Sequence, residues 1–267
     1  MKKVVQLLLS LLLLFAVTPT INAKTLDEIK NDGKITMGAN PEYPPFEFVI
    51  MKDGKKEYVG IDFDLAQLIA DEIGVELEFS EVAFNALIPT LQADKIDMIV
   101  SGMTYTDERA KQVDFSDFYF ETYNQFIVPK DDEGEYKEVS DFKGKKIGVL
   151  KASVQEILAN KILPDNDIVP MNKNGDVIEA LKAGRVDAVI MDSIVVDDFV
   201  SQNKDKIIAV DDVVIEDAEV GKSIAVKKDN KELLETINKV INEAKANGTL
   251  DEIIEKNSGL VDQAIKN

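Results

Sequence analysis

The chain of 267 residues contains no cysteine, no histidine and no tryptophan, and only two of its 31 basic residues, Arg109 and Arg185, are arginine. Without thiols or imidazoles there can be no disulfides, thiolate nucleophiles or Ser-His-Asp triads, and no zinc site built on nitrogen or sulfur. Positive charge is scarce as well: 50 acidic side chains leave a formal charge of −19. A field of that sign repels phosphate backbones and anionic lipid heads, so neither nucleic acid nor a membrane surface is an expected partner. The 45% of hydrophobic residues is ordinary for a globular protein.

Lys2 and Lys3, an apolar run over residues 4–17 and a segment 19–23 ending on Ala23 read as a secretory signal peptide, residues 1–23. The run falls short of the roughly 20 residues that cross a bilayer. No cysteine follows it, so the protein is not lipid-anchored through an N-terminal Cys. A freely soluble exported protein held near its cell implies a periplasmic location. Removing the segment takes the charge from −19 to −21 and leaves 244 residues, near the length at which one core gives way to two.

Along the mature chain, short apolar segments alternate with amphipathic stretches of helical period. Residues 34–38, 75–80, 96–100, 125–128, 146–150, 187–191 and 223–226 read as strands, and 62–73, 230–247 and 250–257 as helices. The class is α/β. Asp53-Gly54 predicts a hairpin turn, and the acidic stretch 131–138 a solvated surface loop.

One repeat organises the rest. Residues 91–100, beginning Leu91-Gln92-Ala93-Asp94, recur ninety positions later as 181–190, beginning Leu181-Lys182-Ala183-Gly184. A looser echo links Gly33-Lys34-Ile35 with Gly144-Lys145-Lys146-Ile147. Two similar α/β units follow, not an array of short repeats. Open α/β sheets place ligands beyond the carboxyl ends of their strands. Those ends are Ser101-Gly102-Met103-Thr104 in one copy and Met191-Asp192-Ser193 in the other. Facing units would set Asp192 across a cleft from Gly102 and Thr104.

Arg109 is informative because this chain otherwise uses lysine wherever a positive charge suffices; arginine supplies a planar fork that takes a carboxylate bidentately. It follows Asp107, a candidate cap of a short helix just beyond a strand end. The alternative is a salt bridge to Glu108, Asp114 or Asp117. Arg185, in the turn of the second copy, reads as surface. An Arg and an Asp on opposite walls recognise the two charges of a free amino acid, and a pocket also needs apolar walls. Tyr43 and Phe84, in loops leading from strands to helices, can serve as those walls or as core filling. Asn85 reads as the cap of the helix after Phe84.

The chain resembles the periplasmic solute-binding proteins of polar amino-acid ABC transporters, solute-binding protein family 3, with the type II periplasmic binding fold. The resemblance rests on Tyr43-Pro44-Pro45-Phe46-Glu47-Phe48, Val59-Gly60-Ile61-Asp62-Phe63-Asp64, Leu87-Ile88-Pro89-Thr90-Leu91, and Thr104-Tyr105-Thr106-Asp107-Glu108-Arg109 followed by Val113-Asp114-Phe115-Ser116. It implies a discontinuous first lobe, residues 24–118 and 223–267, an inserted second lobe, 124–217, and hinge strands at 119–123 and 218–222. Each lobe would be a mixed sheet flanked by helices. The resemblance gives Arg109 the ligand carboxylate, helped by Thr104 and Ser153, and gives the ammonium to Asp192, the Gly102 carbonyl and the Thr104 hydroxyl. Tyr43 and Phe84 would sandwich the ligand side chain, with Asn40, Ser101 and Val154 completing the lining. Asp62 and Asp64, tempting as an acid pair, read as a helix cap and a first-turn charge.

Two departures bear on the ligand. Position 40 is Asn where relatives commonly carry Asp, which removes a counter-charge for a cationic side chain, and Ala152-Ser153 replaces a frequent Gly-Thr. Glu42 could restore a negative charge; Lys151 or Gln155 could meet an acidic or amide side chain. The expected ligand is a free polar L-amino acid, uncharged and of glutamine size, delivered by a monomer to a membrane permease and its ATPase. No catalytic residue, metal or cofactor is expected. The alternatives are an enzyme on the same scaffold, of cyclohexadienyl or arogenate dehydratase type, and a ligand-sensing domain.

Overall fold

The computed structural model describes residues 24–213, 215 and 221–266. The signal-peptide segment 1–23 and positions 218–220 of the expected second hinge strand lie outside the described residues. The chain opens with α1 (Leu26–Asp32), β1 (Lys34–Ala39), β2 (Phe48–Lys52), β3 (Lys55–Val59), α2 (Ile61–Ile73) and β4 (Glu76–Glu81). Next come α3 (Leu87–Gln92), β5 (Met98–Ile99), α4 (Asp107–Ala110), β6 (Val113–Phe115) and β7 (Phe120–Glu121). A second group holds β8 (Asn124–Pro129), β9 (Lys146–Leu150), α5 (Val154–Ile162), β10 (Asp167–Met171), α6 (Asn174–Lys182), β11 (Ala188–Asp192), α7 (Ser193–Gln202) and β12 (Ile207–Val210). β13 (Gly221–Lys222), β14 (Ala225–Lys227), α8 (Lys231–Asn247) and α9 (Thr249–Lys266) close it.

These elements build two five-stranded sheets of matching plan, β4-β1-β5-β14-β6 and β10-β9-β11-β8-β12. In each, three strands run parallel, and the fourth position is taken by a strand antiparallel to both neighbours: β14 in one, β8 in the other. The lobes are joined through the short antiparallel pair β7–β13.

Helical packing follows the apolar stripes. In α2, Leu65, Ala66, Ile69, Ala70 and Ile73 are buried, and in α8 Leu233, Ile237, Val240, Ile241 and Ala244, all facing the first sheet's core. α1 is held by a capping box between Thr25 and Glu28 and ends on Gly33 in the left-handed region. At the β2–β3 hairpin, Asp53 and Gly54 both have positive φ (52° and 74°), as a two-residue turn matched to strand twist requires.

Three cap assignments are corrected. α2 begins after Gly60 with no side-chain cap, while Asp62 is buried and accepts from the Gly102 N–H at 2.6 Å and the Tyr119 hydroxyl at 2.8 Å. Asn85 sits inside a short 3-10 turn, and Ala86 precedes α3. Thr106, not Asp107, caps α4, its hydroxyl accepting from the Arg109 N–H at 3.2 Å. Asp64 does stand in the first turn of α2, where Lys256 and Asn257 of α9 donate to it. The last helix runs to Lys266, well past 257. Nor is the acidic stretch 131–138 wholly solvated: Tyr136 is buried, stacked on Phe142 at 4.3 Å, which in turn stacks on Phe126 at 3.9 Å.

Candidate functional site

The cleft between the sheets is formed where β5 and β11 end. Past β5 the chain turns at Gly102, whose φ is +48° and whose missing Cβ would lie 2.9 Å from the Tyr43 ring, so glycine is required twice over. Asp62 receives the Gly102 N–H and fixes that turn from beneath. Beside it, the Ser101 hydroxyl donates to Glu47 at 2.6 Å and accepts from the Asn40 N–H at 3.1 Å. Tyr43 stacks on Phe46 with ring centres 5.5 Å apart.

Arg109 crosses from the first lobe to the second. Its guanidinium donates to the Thr104 carbonyl at 2.6 Å and to the Ala152 carbonyl at 2.8 Å, and packs over the Phe84 ring at 5.4 Å. Burial lowers its pKa to about 10. Among the described residues no carboxylate pairs with it: Glu108 meets Lys111 and Asp114 meets Lys228. A buried guanidinium with only neutral acceptors is an electrostatic demand for an anion. Next to it, Ser153 caps α5, its hydroxyl accepting from the Glu156 N–H at 3.2 Å.

On the opposite wall, Asp192 ends β11, buried, its carboxylate accepting from Lys222 Nζ at 2.8 Å and Gln155 Nε2 at 3.2 Å. Burial pushes its pKa up, and the Lys222 ammonium opposes that. Lys222 also donates to the Thr104 hydroxyl at 3.0 Å and lies over the Tyr43 ring at 5.6 Å. A third cross-lobe contact closes the rim, Lys173 to Glu42 at 2.5 Å.

A cavity of about 30 Å³ remains among these groups. All of Asn40, Tyr43, Phe84, Ser101, Gly102, Thr104, Arg109, Ser153, Val154 and Asp192 line it, so the structure brings the candidate site residues together around one space. Arg185 stays on the surface. Sequence reasoning missed Glu47, Asn174 and Lys222, which line the same cavity. Asn174 opens α6, buried, with no hydrogen-bond partner on Nδ2 among the described residues. Two of these left a trace in the sequence: Glu47 stands in the segment Tyr43-Pro44-Pro45-Phe46-Glu47-Phe48, and Lys222 abuts the apolar segment 223–226, an odd place for a solvated lysine.

The model of the bacterial extracellular solute-binding proteins, family 3, matches residues 35–259. The arginine-binding extracellular protein ArtP of Bacillus subtilis is 36% identical over 261 residues, covering 96% of this chain and 98% of that protein. An amino acid ABC transporter substrate-binding protein of Streptococcus pneumoniae, AbpA, solved bound to L-arginine, is 39% identical with a TM-score of 0.85, over 90% of this chain and 100% of its own. An ancestral arginine-binding protein solved bound to glutamine is 40% identical with a TM-score of 0.74, over 84% of this chain and 97% of its own.

Proposed function

Since the chain belongs to the bacterial extracellular solute-binding proteins of family 3, we propose that its cleft binds a free polar amino acid and carries it, enclosed between the lobes, to the permease of an ABC transporter. The observation that carries this reading is Arg109, a buried guanidinium facing the cavity with no carboxylate partner among the described residues. The ligand carboxylate meets Arg109 and the start of α5; the ammonium meets Asp192 and the Thr104 hydroxyl; Tyr43 and Phe84 flank the side chain.

Binding works through closure. Arg109 and Thr104 belong to one lobe, Ser153 and Asp192 to the other, so a ligand touching all four has its full set of contacts only when the lobes are together. That difference in affinity between open and closed forms moves the equilibrium. The protein binds and releases its ligand unchanged, acting as a monomer outside the cytoplasm, in the periplasm where the cell has one. The hinge includes the pair β7–β13. Among the described residues no helix is long and apolar enough to cross a membrane.

For the side chain, the amides of Asn40, Gln155 and Asn174 favour an uncharged polar group such as that of glutamine. The second reading, arginine, is favoured by the relatives whose names carry it. Mass analysis of the small molecule released on denaturation, followed by calorimetric titration with all twenty amino acids, decides between them. Binding of glutamine ahead of arginine supports the first, and Asn40→Asp should then move preference toward arginine and lysine. Arginine ahead of glutamine overturns it, and no amino-acid binding overturns both.

A further inference from the structure

The amino-group end of the proposed site already holds a cation of the protein's own. Lys222 is fixed through its backbone: it pairs with Phe120 in the β7–β13 ladder, its carbonyl accepts from the Tyr119 N–H at 2.8 Å just beside that ladder, and it bridges to Thr104. Its side chain, 2% exposed, lies along the cleft with Nζ on Asp192 and the Thr104 hydroxyl. These are the acceptors that the α-ammonium of an amino acid uses in the reading above. Two ammonium groups cannot share them, because like charges a few ångströms apart in a buried site repel strongly.

Glu47, which lines the same cavity, offers Lys222 a second seat. Glu47 and Asp62 are buried side by side under Gly102, and both already sense the Lys222 charge. Glu47 uses Oε1 to accept from Ser101, while no N–H or hydroxyl donor reaches Oε2 among the described residues. Three carboxyl groups, Glu47, Asp62 and Asp192, thus lie near one lysine; Glu47 and Asp62 hydrogen-bond to each other by sharing a proton, and the negative charge that stays on that pair is the other partner open to the Lys222 ammonium.

We infer that Lys222 is a tethered competitor for the amino-group end of the ligand, seated on Asp192 and Thr104 until an incoming ammonium drives it toward the Glu47–Asp62 pair. The inference rests on the amino-acid reading of the cleft. It makes Lys222 a residue that sets specificity and affinity together. Every ligand with an α-ammonium must dislodge it; a carboxylate without one need not.

The test compares the full-length mature chain with its Lys222→Met and Lys222→Arg variants by calorimetric titration. The probes are L-glutamine and L-arginine, each against the analogue lacking the α-amino group, glutaramate and 5-guanidinopentanoate. A seat occupied nine-tenths of the time weakens apparent binding about tenfold. Lys222→Met should therefore bind its amino acid about tenfold tighter or more, with no tightening of the analogue, while Lys222→Arg stays near the wild type. Weaker or unchanged amino-acid binding in Lys222→Met, equal loss in both variants, or equal tightening of the analogue overturns the competitor role. If none of the three proteins binds either amino acid or either analogue, the failure lies with the amino-acid reading itself.

Discussion

Asp97 and Asp187, ninety positions apart, make the same pair of bonds: each carboxylate accepts the backbone N–H of a neighbouring strand, Thr36 at 2.8 Å and Lys146 at 2.7 Å, and each N–H returns to that residue's carbonyl, at 2.9 and 2.8 Å. The repeat in the sequence is the trace of this joint. In both lobes a helix ends, the chain turns through a residue of positive φ, Asp94 or Gly184, and the next strand is locked beside the first. Asp97→Ala should cost about 1–3 kcal/mol by leaving the Thr36 N–H unsatisfied, and Asp187→Ala less because Lys146 is exposed. Urea midpoints that fall at unchanged m-value are the check, with Asn at either site recovering most of the loss.

Arg109→Lys keeps the charge and loses the fork. A single ammonium cannot reach both the Thr104 and Ala152 carbonyls and still present two donors to a carboxylate. Losing one charge-assisted bond of about 1.5–3 kcal/mol predicts a rise in Kd of about ten- to a hundredfold. Titration with the amino acid that the wild type binds measures it; an unchanged Kd would remove Arg109 from the site.

Gly221 tests the hinge. A Cβ there would lie 2.2 Å from the Phe118 ring, so Gly221→Ala must push that ring aside or shift β13 against β7. Overpacking of this kind costs about 1–3 kcal/mol. Adding Phe118→Ala to Gly221→Ala should restore part of the melting temperature, since the obstruction is then gone. Equal melting temperatures for the single and double variants would place the strain elsewhere.

Acidification should stabilise this protein before it destabilises it. Burial raises Asp62 from 3.8 to about 6, against the pull of the Tyr119 hydroxyl and the Gly102 N–H, and raises Glu47 well above its ordinary value, with Asp62 adding to it. The folded chain therefore holds protons that the unfolded chain has lost. Stability falls as pH rises through the window between ordinary and raised values, and returns as pH drops through it. For Asp62 alone the move corresponds to about 3 kcal/mol. The melting temperature should climb as pH falls from about 6.5 to about 4, the window between the raised and the ordinary value of Asp62. It should reverse below about pH 4, where Asp141 and Asp212, held low by backbone N–H bonds and by Lys137 respectively, are protonated. Glu47→Gln should flatten the rise.

The sheets were readable where apolar segments sit centrally: β9 past Lys146 and all of β11 are buried on both faces, and β1 is buried from Met37 on. β10 and β12 escaped because they are edges, half exposed, and β10 carries Pro170, which argues against a strand except at an edge. Caps misplaced by a residue or two at α2, α3 and α4 reflect how little one short polar side chain specifies: Asp62 reads as a cap but is drawn inward by Gly102 and Tyr119. In the cleft, strand ends and a rare arginine gave away most of the lining. The place of Lys222 beside an apolar segment hinted at burial but not at its role, because a buried lysine runs against the habit of the residue and only the three-dimensional approach of Asp192 and Thr104 makes it tolerable.

The place of β14 orders events in the assembly of the chain. It lies between β5 and β6 although residues 225–227 are made more than a hundred positions after both. β8 through β12, by contrast, close their sheet from one uninterrupted stretch. The inserted half can therefore mature on its own while the flanking segments wait as unfinished halves, and the binding cleft comes into being last, when a late strand slots home and brings Lys222 with it.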